Sequence, residues 1–121
     1  MATQIGFAED MMSAYPTSKG ALLQLIRSTA VEHARYGVRV NARCPGAVDT
    51  ALPRKHLATA EDPDAARRRI ESVTPAGRLL TPGEIANLLV FMASPLASAL
   101  GGAAVVADGA LTATYDFRLD G

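Results

Sequence analysis

Tyr15 and Lys19 are the two residues whose types and spacing most directly suggest chemistry. Residues four apart in a helix lie on one face, so a helical segment would make the phenol and the ammonium neighbours. A nearby positive charge favours the phenolate and lowers the pKa of a tyrosine. Such a tyrosine can donate or accept a proton at the oxygen of an alcohol or a carbonyl. The same spacing also arises often by chance, and a surface pair without a function is the competing interpretation.

The segment that carries this pair is predicted to be a long helix over residues 13–36. Pro16 suits the first turn of a helix, where its missing N–H costs little, and Gly37 suits the C-cap. Apolar and small side chains recur at steps of three and four, which predicts a buried face. Further apolar positions predict that the helix is covered on more than one side. The buried face comprises Leu22, Leu25, Ile26, Thr29, Ala30 and His33.

Two short strands are predicted after this helix. The first covers residues 38–42 and is ended by Cys44-Pro45-Gly46. The second covers residues 103–107, a continuous apolar run of the kind that is buried in a parallel sheet, and Asp108-Gly109 closes it.

The stretch between the strands divides into an irregular centre and a second well-marked helix. Residues 50–73 carry prolines and charge runs, and only residues 64–72 are predicted to be helical, after Asp62-Pro63. Arg67-Arg68-Arg69 could bind an anion, but consecutive residues point around a helix, so a solvated face is favoured. Thr81-Pro82-Gly83-Glu84 has the pattern of a capping box and predicts a helix that runs up to Ser94-Pro95.

Composition excludes several classes of protein. The 121 residues include 12 Lys and Arg and 12 Asp and Glu, a formal net charge of zero, which argues against a basic nucleic-acid binder. The apolar runs are shorter than the roughly 18 residues of a membrane span, and no secretory signal opens the chain. The single cysteine, Cys44, cannot form an internal disulfide. We therefore expect a soluble, cytoplasmic protein without nucleic-acid or membrane partners.

The order of the predicted elements is helix, strand, helical centre, helix, strand. This alternation predicts an α/β fold with a parallel sheet and right-handed crossovers. Two strands cannot hide both faces of such a sheet, so we expect the chain to form part of a larger one.

Four motifs, in order, resemble the short-chain dehydrogenase/reductase family, and together they cover nearly all of residues 6–113. Residues 15–22 resemble the active-site helix of that family. Residues 38–50 resemble its strand and its Pro-Gly-x-x-x-Thr cofactor loop, and residues 74–86 its late loop and helix. Residues 91–94 and 102–109 resemble its closing helix and last strand. The first motif reads Tyr-Pro-Thr-Ser-Lys-Gly-Ala-Leu, and the second reads Val-Arg-Val-Asn-Ala followed by Cys-Pro-Gly-Ala-Val-Asp-Thr. The third reads Thr-Pro-Ala-Gly-Arg followed by Thr-Pro-Gly-Glu-Ile-Ala. The fourth reads Phe-Met-Ala-Ser followed by Gly-Ala-Ala-Val-Val-Ala-Asp-Gly.

The resemblance implies an enzyme that interconverts an alcohol and a carbonyl by hydride transfer with NAD or NADP. Tyr15 matches the catalytic acid/base, and Lys19 the lysine that lowers its pKa and holds the nicotinamide ribose. The cofactor loop matches at Pro45, Gly46, Val48 and Thr50. Residues 51–73 match the variable substrate lid. A homo-oligomer, dimer or tetramer, is implied for the full-length enzyme.

Several parts of the family pattern have no counterpart in residues 1–121. The Gly-rich turn that holds the pyrophosphate is absent, as are the Asn-Asn-Ala-Gly stretch, the residue that selects NAD or NADP, and a well-matched catalytic serine. Ala110 stands where the family usually has the second glycine of Asp-Gly-Gly. We therefore expect a partial NAD(P)-binding domain over residues 1–121: the C-terminal half of a Rossmann-like, doubly wound parallel sheet, without the N-terminal βαβ units. Residues 114–121 are expected to be a tail.

Two other functions stay open. The chain could be a non-catalytic remnant that serves as an association module, since the exposed sheet edge of a half-domain favours pairing with a partner. A sugar-nucleotide epimerase or dehydratase shares Tyr-x-x-x-Lys, but the Pro-Gly-x-x-x-Thr loop and the Asp108-Gly109 ending argue against it.

Overall fold

The computed structural model describes residues 13–113, which form an α/β arrangement around two parallel strands. Ala42 pairs with Ala104 and Pro45 with Ala107 at the two ends of the ladder. The parallel pairing confirms the predicted fold class. The predicted loop at residues 1–12 and tail at residues 114–121 lie outside the described residues. The elements are α1 (Ala14–His33), β1 (Ala42–Pro45), α2 (Ala51–Ala58), α3 (Pro63–Val73), α4 (Pro82–Ala93) and β2 (Ala104–Ala107), with 3-10 turns at Ala34–Tyr36, Pro95–Ala97 and Leu111–Ala113.

Helix α1 follows the predicted boundaries but not the predicted burial. It continues into the 3-10 turn and ends at Gly37, whose φ of 73° lies in the left-handed region that glycine adopts without strain. Of its apolar stripe, Ala30 is buried, whereas Leu22 and Leu25 are 46% and 60% exposed. The prediction that this helix is covered on more than one side is therefore wrong for the described residues. The cause is the size of the sheet, since two strands offer too little surface to cover a 20-residue helix.

Strand β1 begins later than predicted, at Ala42 instead of Val38. Asn41 sets this start. Its side-chain amide donates to the carbonyl of Leu100 at 2.9 Å, and its side-chain oxygen accepts from the N–H of Ala103 at 3.0 Å. The ladder then starts with the N–H of Ala42 on the carbonyl of Ala103 at 2.8 Å, so the strand extends through Pro45.

The centre of the chain is more regular than predicted. Residues 51–58 form α2, where an irregular segment was expected, and Pro53 lies in its first turn, where a missing N–H is tolerated. Helix α3 begins close to the predicted position, because Asp62 accepts a hydrogen bond from the N–H of Ala65 at 2.9 Å. All three arginines of the run at residues 67–69 are exposed, as a solvated helix face requires.

Helix α4 has the predicted capping box. The Thr81 hydroxyl accepts from the N–H of Glu84 at 3.2 Å, and the Glu84 carboxylate accepts from the N–H of Thr81 at 2.8 Å. The other end of α4 is held by Arg39. Its guanidinium donates to four backbone carbonyls at 2.8–3.2 Å, those of Met92, Ala93, Ser94 and Ala97. This contact ties the segment before β1 to the end of α4.

The apolar core is small and lies between the strands, α4 and the segment before α4. Cys44 belongs to it as a buried free thiol. Many large apolar side chains remain exposed, Val31, Val90 and Leu96 most of all. No helix within residues 13–113 combines the length and the apolar character that crossing a membrane requires. The buried apolar residues are Ala30, Ala42, Cys44, Leu79, Leu80, Ile85, Met92 and Ala97.

Candidate active site

Tyr15 and Lys19 meet on the first two turns of α1, as their spacing predicts. The Lys19 ammonium nitrogen lies 5.4 Å from the centre of the Tyr15 ring. Tyr15 is 47% exposed, so its hydroxyl can reach a bound molecule, while Lys19 is half-buried. Ser18 turns back onto the helix, where its hydroxyl donates to the carbonyl of Tyr15 at 2.7 Å. The pair therefore presents a phenol with a cation beside it.

The contact described for α1 on the rest of the fold lies toward its C-terminal end, away from this pair. Near the C-terminal end of α1, a Cβ atom built on Gly102 would lie 3.5 Å from the Cβ of Ala30. Gly102 precedes β2, so this end of the helix lies at the amino edge of the sheet. Tyr15 is 15 residues earlier, which is about 22 Å along the axis of a helix. In open α/β sheets, ligands bind at the carboxyl edge.

The loop after β1, residues 45–50, lies at that same carboxyl edge, and we name it the cofactor loop after the family motif that it resembles. The N–H of Gly46 donates to the carbonyl of Ala107 at 3.0 Å and so continues the ladder. A Cβ on Gly46 would lie 2.8 Å from the Cα of Asp108, closer than real Cβ atoms approach other atoms. Glycine is therefore required here by close packing.

Asp108 anchors the other side of this contact. It is buried, and its carboxylate accepts hydrogen bonds from the N–H and the hydroxyl of Thr112 at 2.9 and 2.6 Å. Burial by itself raises the pKa of Asp108, but hydrogen bonds, those from Thr112 first, outweigh it and hold the pKa below its usual value. Asp108 is thus an ionised anchor for the end of β2.

Leu80 fixes the middle of the cofactor loop. Val48 pairs with Leu80 in an isolated parallel bridge. The N–H of Asp49 donates to the carbonyl of Leu80 at 2.8 Å, and the N–H of Leu80 donates to the carbonyl of Ala47 at 2.9 Å. These bonds involve Ala47 and Asp49, the residues on either side of Val48. The N–H of Val48 itself lies on the edge away from Leu80 and has no backbone acceptor among residues 13–113. The donor is available for an amide-bearing group such as a carboxamide.

Thr50 ends the loop with an exposed side chain. Its N–H donates to the carbonyl of Val48 at 2.8 Å, which turns the chain into α2. The structure thus gathers Pro45, Gly46, Val48 and Thr50 into one ordered loop. These residues could hold a nicotinamide group from the sheet side.

Asp49 is a site residue that the sequence did not single out. The Arg54 side-chain Nε donates to its carboxylate at 2.7 Å. That hydrogen bond is the main cause that lowers the pKa of Asp49. The pair joins the cofactor loop to α2. Because α2 was not predicted, no spacing rule could bring these two residues together.

Arg78 was also missed, although its partner Glu84 was predicted as a capping residue. The guanidinium makes two hydrogen bonds to the Glu84 carboxylate, at 3.0 and 2.6 Å. Together with hydrogen bonds from Thr81, this contact lowers the pKa of Glu84 to about 2. Leu79 and Leu80, buried between Arg78 and α4, are thereby fixed in place behind the cofactor loop.

No group of three or more metal-binding side chains exists within residues 13–113.

Comparison with known proteins supports the assignment of these motifs. Residues 2–112 match a family model described as enoyl-(acyl carrier protein) reductase. The chain is 43% identical over 101 residues to 2-(R)-hydroxypropyl-CoM dehydrogenase of Xanthobacter autotrophicus, covering 84% of this chain and 39% of the relative. It is 39% identical to inactive 2-(S)-hydroxypropyl-CoM dehydrogenase 2 of the same organism, covering 84% of this chain and 44% of that relative.

A solved structure of a short chain dehydrogenase family protein from Francisella tularensis superposes with a TM-score of 0.81 at 35% identity. The superposition covers 93% of this chain and 48% of the other protein. The chain therefore spans less than half the length of these relatives, and its sheet is a small part of their Rossmann-like fold. On the combined grounds of motif order, parallel sheet and these matches, the chain belongs to the short-chain dehydrogenase/reductase family.

Proposed function

We propose that this chain forms the nicotinamide-side part of an NAD(P)-dependent oxidoreductase that interconverts an alcohol and a carbonyl in the cytoplasm. The observation that carries the proposal is the Tyr15–Lys19 pair, an exposed phenol with an ammonium 5.4 Å from its ring centre. An acid/base of this type is what a carbonyl oxygen needs when the adjoining carbon gains hydride. A nicotinamide cofactor, NAD or NADP, would supply or accept that hydride.

In the reducing direction, the Tyr15 hydroxyl donates its proton to the oxygen of the substrate. In the oxidising direction, the phenolate accepts the proton of the alcohol. By the family resemblance, Lys19 would supply the positive charge beside the phenol and would also hold the ribose of the cofactor.

The cofactor loop would hold the nicotinamide from the sheet side. The N–H of Val48 faces away from Leu80 and can meet a carboxamide, and the exposed Thr50 hydroxyl can bind the carboxamide or the pyrophosphate. Gly46 keeps the loop close to Asp108, an approach that a residue with a Cβ would not permit. Residues 51–73 would then form the lid over a small-molecule alcohol or carbonyl substrate.

Turnover needs more than residues 1–121 provide. The Gly-rich phosphate turn and the serine that orients the carbonyl have no match in this sequence. One of the two Xanthobacter relatives is itself named inactive, so similarity of this extent does not decide activity. We propose that a Gly-rich half completes the site and that the completed enzyme is a homo-oligomer.

A second candidate function is that of an association module without catalysis. The exposed apolar side chains of α1, Leu22 and Leu25 among them, favour it, because helix faces of this kind normally pack against another element. This function needs neither Tyr15 nor the cofactor loop.

Coenzyme titration separates the two functions. Calorimetry of NADH and NADPH is run on residues 1–121 alone and on the same residues joined to a Gly-rich half. The enzyme proposal expects no tight binding by the 121-residue chain and clear binding by the completed protein. Absence of binding by the completed protein would favour the association module. Tight binding with turnover by the 121-residue chain would contradict the need for a Gly-rich half.

A further inference from the structure

The two lid helices, α2 and α3, form a unit that is joined to the rest of the described chain at its two ends. Helix α2 packs mainly on α3. At the C-terminal end of the unit, Thr74 is buried, and its Cγ2 lies 2.8 Å from the position of a Cβ on Gly109. At the other end, the chain leaves the cofactor loop through the exposed Thr50. The position of the unit therefore depends on what holds α2 to that loop.

The backbone of Asp49 is held in place at this junction. Its N–H donates to the carbonyl of Leu80 at 2.8 Å, and its neighbour Val48 is bridged to the same residue. Leu80 is buried in the core. The Asp49 carboxylate thus projects from a backbone that cannot shift without breaking these bonds.

Both lid helices bring a cation toward this one carboxylate. From α2, the Arg54 Nε donates to the Asp49 carboxylate at 2.7 Å. From α3, Arg67 adds an attraction that also lowers the pKa of Asp49, while its own Nε bonds Glu71 at 2.9 Å. Both attractions favour a position of the α2–α3 unit close to the cofactor loop, because moving the unit away would separate opposite charges.

We propose that Asp49 is a positioning residue that holds the α2–α3 unit against the cofactor loop through Arg54. Anchoring of this kind sets how far the substrate side of the site opens. The consequence for substrate rests on the proposed function, whereas the anchoring itself does not.

Hydrogen exchange of the 121-residue chain, read by mass spectrometry, tests the anchoring. Exposed ion pairs change a local opening equilibrium by at most roughly fivefold. We expect Asp49→Asn and Arg54→Gln each to speed amide exchange two- to fivefold in α2 and α3, with α1 and α4 unchanged. The double variant should exchange no faster than either single one, because both remove the same contact. Arg68→Gln, an exposed arginine of α3, is the matched control and should leave exchange unchanged.

Unchanged exchange in the single variants, additive acceleration in the double variant, or equal acceleration in α1 and α4 would each overturn the proposal. Where turnover is assayed, Arg54→Gln, which removes the same contact from outside the cofactor loop, should raise the substrate KM two- to fivefold with kcat and coenzyme affinity unchanged. A loss confined to kcat would overturn the positioning role. The exchange experiment needs neither coenzyme nor substrate, so its outcome is independent of the proposed reaction.

Discussion

A Cβ atom on Gly46 would lie 2.8 Å from the Cα of Asp108 and 2.9 Å from its carbonyl oxygen. The cofactor loop and the end of β2 therefore pack backbone against backbone. The glycine that the family resemblance places beside the nicotinamide is required first by this contact inside the protein.

Replacing Gly46 by alanine should therefore destabilise the fold. Overpacking against backbone atoms, which cannot rotate away, typically costs about 1–3 kcal/mol. Urea unfolding of Gly46→Ala measures this loss. Gly20→Ala is the matched control, because a Cβ there meets nothing within 4 Å and glycine inside a helix is unfavourable. That variant should gain up to about 1 kcal/mol, and a Gly46→Ala protein as stable as the native one would contradict the packing argument.

Ala110 should be improved by glycine. Its φ of 69° lies in the left-handed region, which costs a residue with a Cβ roughly 1–2 kcal/mol. Part of the gain is offset by the greater freedom of glycine in the unfolded chain. Ala110→Gly should therefore raise the free energy of unfolding by about 0.5–1 kcal/mol. Ala86→Gly, inside α4, is the control and should lower the free energy of unfolding by about 1 kcal/mol. If Ala110→Gly also lowered the free energy of unfolding, the backbone of Ala110 would not be strained.

Arg39 should contribute strongly to stability through the end of α4. Its guanidinium donates to four backbone carbonyls at the negative end of the helix dipole. Replacing it by methionine leaves those carbonyls without this donor, a loss of about 2–3 kcal/mol in the free energy of unfolding. Arg39→Lys should restore little of this stability, because an ammonium lacks the planar, forked arrangement of donors in a guanidinium. Arg43→Met, at an exposed position of β1, should change stability by less than about 0.5 kcal/mol.

Glu84 should make stability depend on pH in the acid range. Its pKa is lowered from 4.5 to about 2, chiefly by the hydrogen bonds from Arg78. Because the folded pKa is the lower one, the contribution is present above about pH 4.5 and is lost as pH falls toward 2. The urea midpoint of the native chain should fall more steeply between these pH values than that of Glu84→Gln. Identical pH profiles for the native chain and Glu84→Gln would exclude this role of Glu84.

Local signals made much of the fold predictable. Pro16, Gly37 and the Thr81–Glu84 capping box act within a few residues, so α1 and α4 were predicted close to their observed bounds. The start of β1 was displaced because Asn41 bonds residues about 60 positions away, which no local pattern reveals. Helix α2 has no such local signal beyond Pro53 in its first turn.

The candidate site divides in the same way. The proximity of Tyr15 and Lys19 was predictable from helical spacing, whereas their catalytic role and the cofactor-binding role of residues 45–50 stay predictions. Leu80 and Arg54 were not predictable as site residues, because each contacts the cofactor loop only through the folded chain. Burial of α1 was predicted wrongly, since periodicity shows which face is apolar but not whether anything covers it.

The central claim is that Tyr15 transfers the proton to and from the substrate oxygen. Its most direct test is the turnover number of Tyr15→Phe in residues 1–121 joined to a Gly-rich half, measured beside coenzyme affinity. Tyr36→Phe is the matched control, an exposed tyrosine just past the other end of the same helix. We expect kcat to fall about 10²–10⁴-fold in Tyr15→Phe with coenzyme affinity unchanged, and no loss in Tyr36→Phe. Turnover retained by Tyr15→Phe would contradict the acid/base role.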